Sequence, residues 1–156
     1  MRTGLATLGT ALVLLAGCGG GESSKSPAKP TGPVPTVKAY LAAVFEADGA
    51  AACELLNKDL RQEAAKTVRT LRMRVKPTCE AFIAETFKPQ KEGTSILFEG
   101  ELISKDDVDG LELNVESKDA TTATVGTGPD GTQKFELDKA GGRWKLSDVA
   151  GNPITL

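Results

Sequence analysis

The chain contains no histidine, and that single absence removes a large part of enzyme chemistry. Without imidazole there is no Ser–His or Cys–His relay, no His-ligated metal and no side chain that titrates near neutrality unperturbed. A Cys-x-x-Cys redox pair is also missing. The one long apolar run, Leu5 to Leu15, covers about a dozen residues, and a membrane-spanning helix needs about 20. Basic residues are not in surplus: 19 Lys and Arg face 21 Asp and Glu, a formal charge of −2 at pH 7. That balance argues against a nucleic-acid partner, which selects a strongly basic domain. At 156 residues the chain is too short for a two-lobed solute-binding clamshell. No catalytic constellation, cofactor motif or metal-ligand set stands out.

What is present begins at the N-terminus. Arg2, the apolar run and then Leu15-Ala16-Gly17-Cys18 have the layout of a secretory leader with small residues at its cut site. The four-residue stretch resembles the lipobox of bacterial lipoproteins. That resemblance implies cleavage after Gly17 and a diacylglycerol thioether on Cys18. Two acyl chains, at about 0.8 kcal/mol per buried methylene, anchor stably where one is marginal. The expected location is therefore the cell membrane, lipid-anchored on its extracytoplasmic face. Residues 18–35 read as the lipidated cysteine and a tether, flexible through Gly19-Gly20-Gly21 and stiffened by Pro27, Pro30, Pro33 and Pro35. Residues 36–156 remain for a single domain.

The chain has 3 cysteines. With Cys18 carrying lipid, Cys53 and Cys79 remain, and outside the cytoplasm two thiols can persist as a disulfide. Closing a loop of about 27 residues adds on the order of 3–4 kcal/mol.

Apolar spacing supplies the fold class. Val37, Tyr40, Leu41, Val44 and Phe45 recur at helical intervals and predict a helix from near Thr36, ended by Asp48-Gly49. Cys53, Leu56, Leu60, Ala64, Val68, Leu71 and Val75 predict a second helical region over about 50–75, bent at Asn57. Cys79, Phe82, Ile83 and Phe87 predict a third helix over 78–87. Ile96-Leu97-Phe98 fits either a short strand or part of a lid. After Gly110 the period becomes two. Leu111, Leu113 and Val115 alternate with polar residues, residues 121–127 are rich in Thr and Val, and Pro129-Asp130-Gly131 is a turn. Phe135 and Leu137 follow, then a turn over 138–142, then Arg143 to Val149 with Trp144 and Leu146 inward. Helices followed by an antiparallel meander make an α+β domain in which the helices cover one face of the sheet.

Val37-x-x-Tyr40-Leu41-x-Ala43, Asp48-Gly49, Ala52-Cys53-Glu54-Leu55-Leu56, the second cysteine and the closing Gly142-Arg143-Trp144-Lys145-Leu146 resemble small actinobacterial lipoproteins. These are similar to the nuclear-transport-factor-two-like (ketosteroid-isomerase-like) fold. The resemblance covers residues 36–149 and implies a curved antiparallel sheet wrapped around N-terminal helices as a cone. It also implies a pocket in the cone's mouth near Tyr40, Phe45 and Trp144. Enzymes of that superfamily would use Tyr40 as an oxyanion donor. Its ordinary role is a core residue whose hydroxyl is satisfied at the rim.

Two other groups of residues bear on partners. Lys58, Arg61, Arg69, Arg72 and Lys76, with Arg74 nearby, fall close to one helical face. They read as a solvated face balanced by Asp59 and Glu63, or as a patch resting on anionic lipid head groups. Lys105-Asp106-Asp107-Val108-Asp109-Gly110, with Glu116, partly mimics a calcium loop, but Lys105 puts a cation where the first carboxylate belongs. A solvated turn is the expectation there. The functional expectation is a non-enzymatic, membrane-anchored lipoprotein that binds a protein or envelope component. The alternative is a carrier of a small apolar ligand, with an isomerase-like enzyme third.

Overall fold

Proline starts the first helix instead of preceding it. In the computed structural model, which describes residues 29–88, 96–98, 101–127 and 133–149, helix α1 spans Pro33–Phe45 with Gly32 as N-cap. Pro33 occupies the first helical position, where its missing N–H leaves no bond unmade and its fixed φ suits the helix. The expected start near Thr36 is therefore late, and Pro33 and Pro35 belong to the helix and not to the tether. The buried Thr36 hydroxyl donates to the Gly32 carbonyl at 2.8 Å. At the other end Ala47 adopts φ +51°. Its N–H donates to the Val44 carbonyl and the Asp48 N–H to the Ala43 carbonyl, both at 2.9 Å, a Schellman stop.

Asp48 then caps helix α2, Gly49–Leu55, accepting from the Ala51 N–H at 3.0 Å. Leu56 is extended, and Asn57 caps helix α3, Lys58–Thr70, accepting from the Leu60 N–H at 2.9 Å. The helical region expected over about 50–75 is thus two helices, and it stops at Thr70. Arg72 closes α3 in the left-handed region at φ +53°, with the Met73 N–H donating back to the Val68 carbonyl at 3.1 Å. Leu71 and Val75 consequently lose phase with the buried stripe, and Leu71 is 52% exposed. Helix α4, Cys79–Thr86, is capped by Thr78.

Strands β1 (Ile96–Phe98) and β2 (Glu101–Ile103) form a separate antiparallel hairpin, so Ile96-Leu97-Phe98 is a strand. A 3-10 turn follows over Lys105–Gly110. Then β3 (Leu113–Lys118), β4 (Thr122–Thr127), β5 (Lys134–Ala140) and β6 (Arg143–Val149) pair in sequence order as one antiparallel sheet. Gly141 and Gly142, at φ +57° and +78°, make the two-residue turn that needs positive φ at both positions. That tight turn lets β5 run on to Ala140, past the turn expected from Asp138. Register shifts at Val115/Ser117 and at Glu136/Leu137 mark bulges, which raise local twist. The leader, Cys18, the first part of the tether and the Pro129-Asp130-Gly131 turn lie outside the described residues.

The core lies between the helices and the sheet. Val37, Tyr40, Leu41, Val44 and Phe45 of α1 meet Val125, Phe135, Leu137, Trp144 and Leu146 of the strands and Phe82 and Ile83 of α4. The α+β reading holds, with helices packed on a four-stranded antiparallel sheet. One strand departs from it. β3 is an outer strand at the margin of the helical cover, so Leu113 is only half-buried and Val115 is 44% exposed.

Two contacts fasten α2 to α4. Cys53 and Cys79, both buried, form a disulfide with their Cα atoms 6.1 Å apart. One turn away, Gly49 lies against the α4 backbone. A Cβ there would sit 2.7 Å from the Glu80 carbonyl carbon and closer still to its oxygen. Because backbone cannot yield as a side chain can, Gly49→Ala should destabilise by at least about 1–3 kcal/mol, read as a lower denaturant midpoint of the oxidised protein. An unchanged midpoint would mean that α2 and α4 can part without consequence.

Candidate functional site

On the face of α1 opposite its large core residues, Ala39, Ala42, Ala43 and Glu46 recur at i, i+3, i+4 and i+7. Small side chains there leave room, and α2 closes the space with Ala51, Glu54 and Leu55. The result is a groove of about 400 Å³, completed by Trp144 with its neighbours Arg143 and Lys145, by Lys105, by Asp48, and by Lys29 and Pro30 of the incoming chain. That volume falls at the lower end of the range for small-ligand sites.

Backbone contacts fix the wall. The Asn57 N–H donates to the Leu146 carbonyl at 2.8 Å, and Leu56 makes a parallel bridge to Leu146. The segment after α2 therefore meets the outer edge of β6 at Leu146 and brings Glu54 beside Arg143 and Lys145. Arg143 Nη1 lies 3.1 Å from Glu54 Oε1, and Lys145 Nζ donates to the Glu54 backbone carbonyl. Burial lowers the Lys145 pKa, and the nearby positive charge of Arg143 lowers it further. Glu54 opposes the shift, while Arg61 and Lys29 add to it. Lys145 thus feels three like charges and the opposing charge of Glu54. Elsewhere on the lining Lys105 pairs with Glu46, and the hydrogen bond and charge of Glu46 raise the Lys105 pKa. Lys139 and Lys118 place their ammonium groups 5.7 and 5.8 Å from the centre of the Trp144 ring, within cation–π range.

Of the three residues expected to line a pocket, only Trp144 borders this groove. Tyr40 and Phe45, 2% and 1% exposed, are core residues beneath it. The Tyr40 hydroxyl is not at a rim either. It is buried and has no hydrogen-bond partner among the described residues, and burial pushes its pKa up. The bonded pair Cys53 and Cys79 lies behind the groove wall, and Cys18 is outside the described residues.

Lys58, Arg61, Arg69, Arg72 and Lys76 are all exposed, as is Arg74. Among the described residues Glu63 pairs with Lys66 and none of these six has a carboxylate within ion-pair distance. Exposed Leu71 stands between Arg69 and Arg72. The region that mimics a calcium loop is the 3-10 turn. There Asp107 accepts from the Ser104 N–H and hydroxyl, both at 2.7 Å, which lowers its pKa. Among the described residues no cluster of His, Cys, Asp or Glu could hold a metal ion.

The sequence reading missed the alanine face of α1 and the cationic pair Arg143 and Lys145. Ala39, Ala42, Ala43 and Glu46 carry helical spacing of their own, and that was the available signal.

Two outcomes follow. An unsatisfied buried hydroxyl costs roughly 1–3 kcal/mol, so Tyr40→Phe should leave stability unchanged or raise it by about 1 kcal/mol. A marked loss on thermal unfolding would reveal a partner for the hydroxyl. Reversing Arg69 and Arg72 to Glu separates the two readings of the basic face: a patch resting on anionic lipid would lose vesicle binding, at about 1 kcal/mol per basic residue near the surface. If co-sedimentation is unchanged, the patch is a solvated face only.

The chain matches no protein-family model, no curated protein and no solved structure.

Proposed function

We propose that this chain is a lipid-anchored binding module on the extracytoplasmic face of the cell membrane, and that the groove between α1, α2 and β6 is its binding site. In this reading residues 1–17 are a leader, Cys18 carries the lipid, and the tether runs to Gly32, where α1 begins. The nuclear-transport-factor-two-like cone belongs to the same proposal. The observation that carries the binding role is the groove itself. It is apolar in its walls, of ligand size, and bordered by Lys29 and Pro30, where the chain enters the domain.

Binding is favoured over catalysis because the carboxylates on the lining are already engaged. Glu46 is held by Lys105, Glu54 by Arg143, and Asp48 by the first turn of α2. The Cys53–Cys79 disulfide supports an oxidising compartment, and no helix among the described residues is long and apolar enough to cross a membrane. The volume favours a small ligand over a protein. The reading with a protein or envelope partner has support at a different place. Val115 is exposed on the outer strand β3, where an added strand could pair.

Growth of a bacterium expressing the full chain with a clickable fatty acid tests the anchor. The wild-type protein should carry the label and partition with membranes, and Cys18→Ser should lose both properties. An unlabelled wild-type protein, or one that keeps residues 1–17, would contradict the anchored reading.

A further inference from the structure

We propose that the groove takes an anionic amphiphile: one alkyl chain along the alanine face of α1, with its carboxylate or phosphate head group beside Lys145. This rests on the groove being a binding site and adds the chemistry of what it binds.

The head-group end is argued from charge. Lys29, Arg143 and Lys145 share the lining, Arg143, Arg61 and Lys29 act on Lys145 as like charges, and the acidic neighbour that opposes them is Glu54. Its carboxylate is already taken by Arg143. Among the described residues the half-buried Lys145 ammonium donates to a backbone carbonyl and has no carboxylate at ion-pair distance. A cation drawn partly out of water without a directly paired anion is unfavourable, and an anion seated beside it reduces that penalty with charge-assisted hydrogen bonds.

The tail is argued from the walls. From Ala39 to Glu46 the α1 face extends about 10 Å at 1.5 Å per residue. Methyl groups of Ala39, Ala42 and Ala43, the Leu55 side chain and the Trp144 ring line it. A free inorganic anion would leave these walls unused. A neutral alkane would leave the cationic cluster uncompensated. An acidic peptide would bring backbone N–H and C=O groups against alanine methyls that offer them no partner. An alkyl chain with one anionic end meets both halves of the site.

Trp144 is the chain's one tryptophan and borders the groove, so its fluorescence reports occupancy. The probe is a 12-carbon fatty acid brominated near its tail, added below its micellar concentration to the full chain carrying Cys18→Ser. Comparison ligands are the brominated alcohol of equal length and inorganic phosphate. The acid should quench Trp144 saturably. Lys145→Gln combined with Arg143→Gln should weaken it roughly 10- to 30-fold, and the alcohol should bind the unaltered groove comparably weakly. Ala42→Phe keeps every charge and should block quenching by filling the groove, and Lys134→Gln, on β5, should leave it unchanged.

Absence of saturable quenching, quenching indifferent to the charge variants, an alcohol as potent as the acid, or phosphate that displaces the acid at equal concentration would each overturn the proposal. The readout is independent of the anchor. Saturable quenching in a chain whose Cys18 proves never to be acylated would retain the ligand and discard the membrane location. An acylated protein that fails to quench would do the reverse.

Discussion

The bond between Cys53 and Cys79 is the constraint on which the rest of the domain depends. Helix α2 is short, Gly49–Leu55, and a helix of that length has little stability of its own. Its position is imposed from outside: by the disulfide, by the close backbone approach at Gly49 and by the Asp48 cap. Once α2 is held against α4, the residues that follow have one course. Leu56 turns extended, and Asn57 donates to Leu146 on the outer edge of β6. An open edge strand invites pairing with other chains, so the same contact interrupts that edge at Leu146 and builds the groove wall.

The groove inherits its character from that placement. α1 buries five large side chains on one face and presents small ones on the opposite face, so α2 can be close without filling the gap. The charged residues around the opening contribute little to folding. Arg143–Glu54 and Lys105–Glu46 are largely exposed pairs, and such pairs stabilise by about 1 kcal/mol or less. Their effect is local and electrostatic. They occupy the Glu54 and Glu46 carboxylates, and among the described residues Lys145 has no carboxylate at ion-pair distance.

Much of this was legible in the sequence, and the exceptions have physical causes. The stripe Val37, Tyr40, Leu41, Val44 and Phe45 is strongly periodic, and all five residues are buried. The disulfide followed from counting cysteines in a chain read as exported. The break at Asn57 could be placed only as a bend, because Leu56, Leu60 and Ala64 keep helical spacing across it. What ends α2 there is a cap and a strand contact, and neither alters periodicity. Arg72 closes α3 in a conformation usually marked by glycine, so the stop at Thr70 carries no sign in the sequence and the spacing of Leu71 reads as core. The alanines of α1 were invisible for another reason. A small apolar residue reads as filler whether it faces a tight contact or an empty groove, and only the position of α2 decides which.

The clamp between α2 and α4 sets the groove wall on β6. Amide hydrogen exchange of the folded protein, oxidised against selectively reduced, reads this at the Asn57 N–H. Strong protection is expected in the oxidised protein, with a loss confined to α2 and the β6 edge on reduction while β4 and β5 amides stay protected. Equal protection of Asn57 in both states would show that the wall stands without the bond.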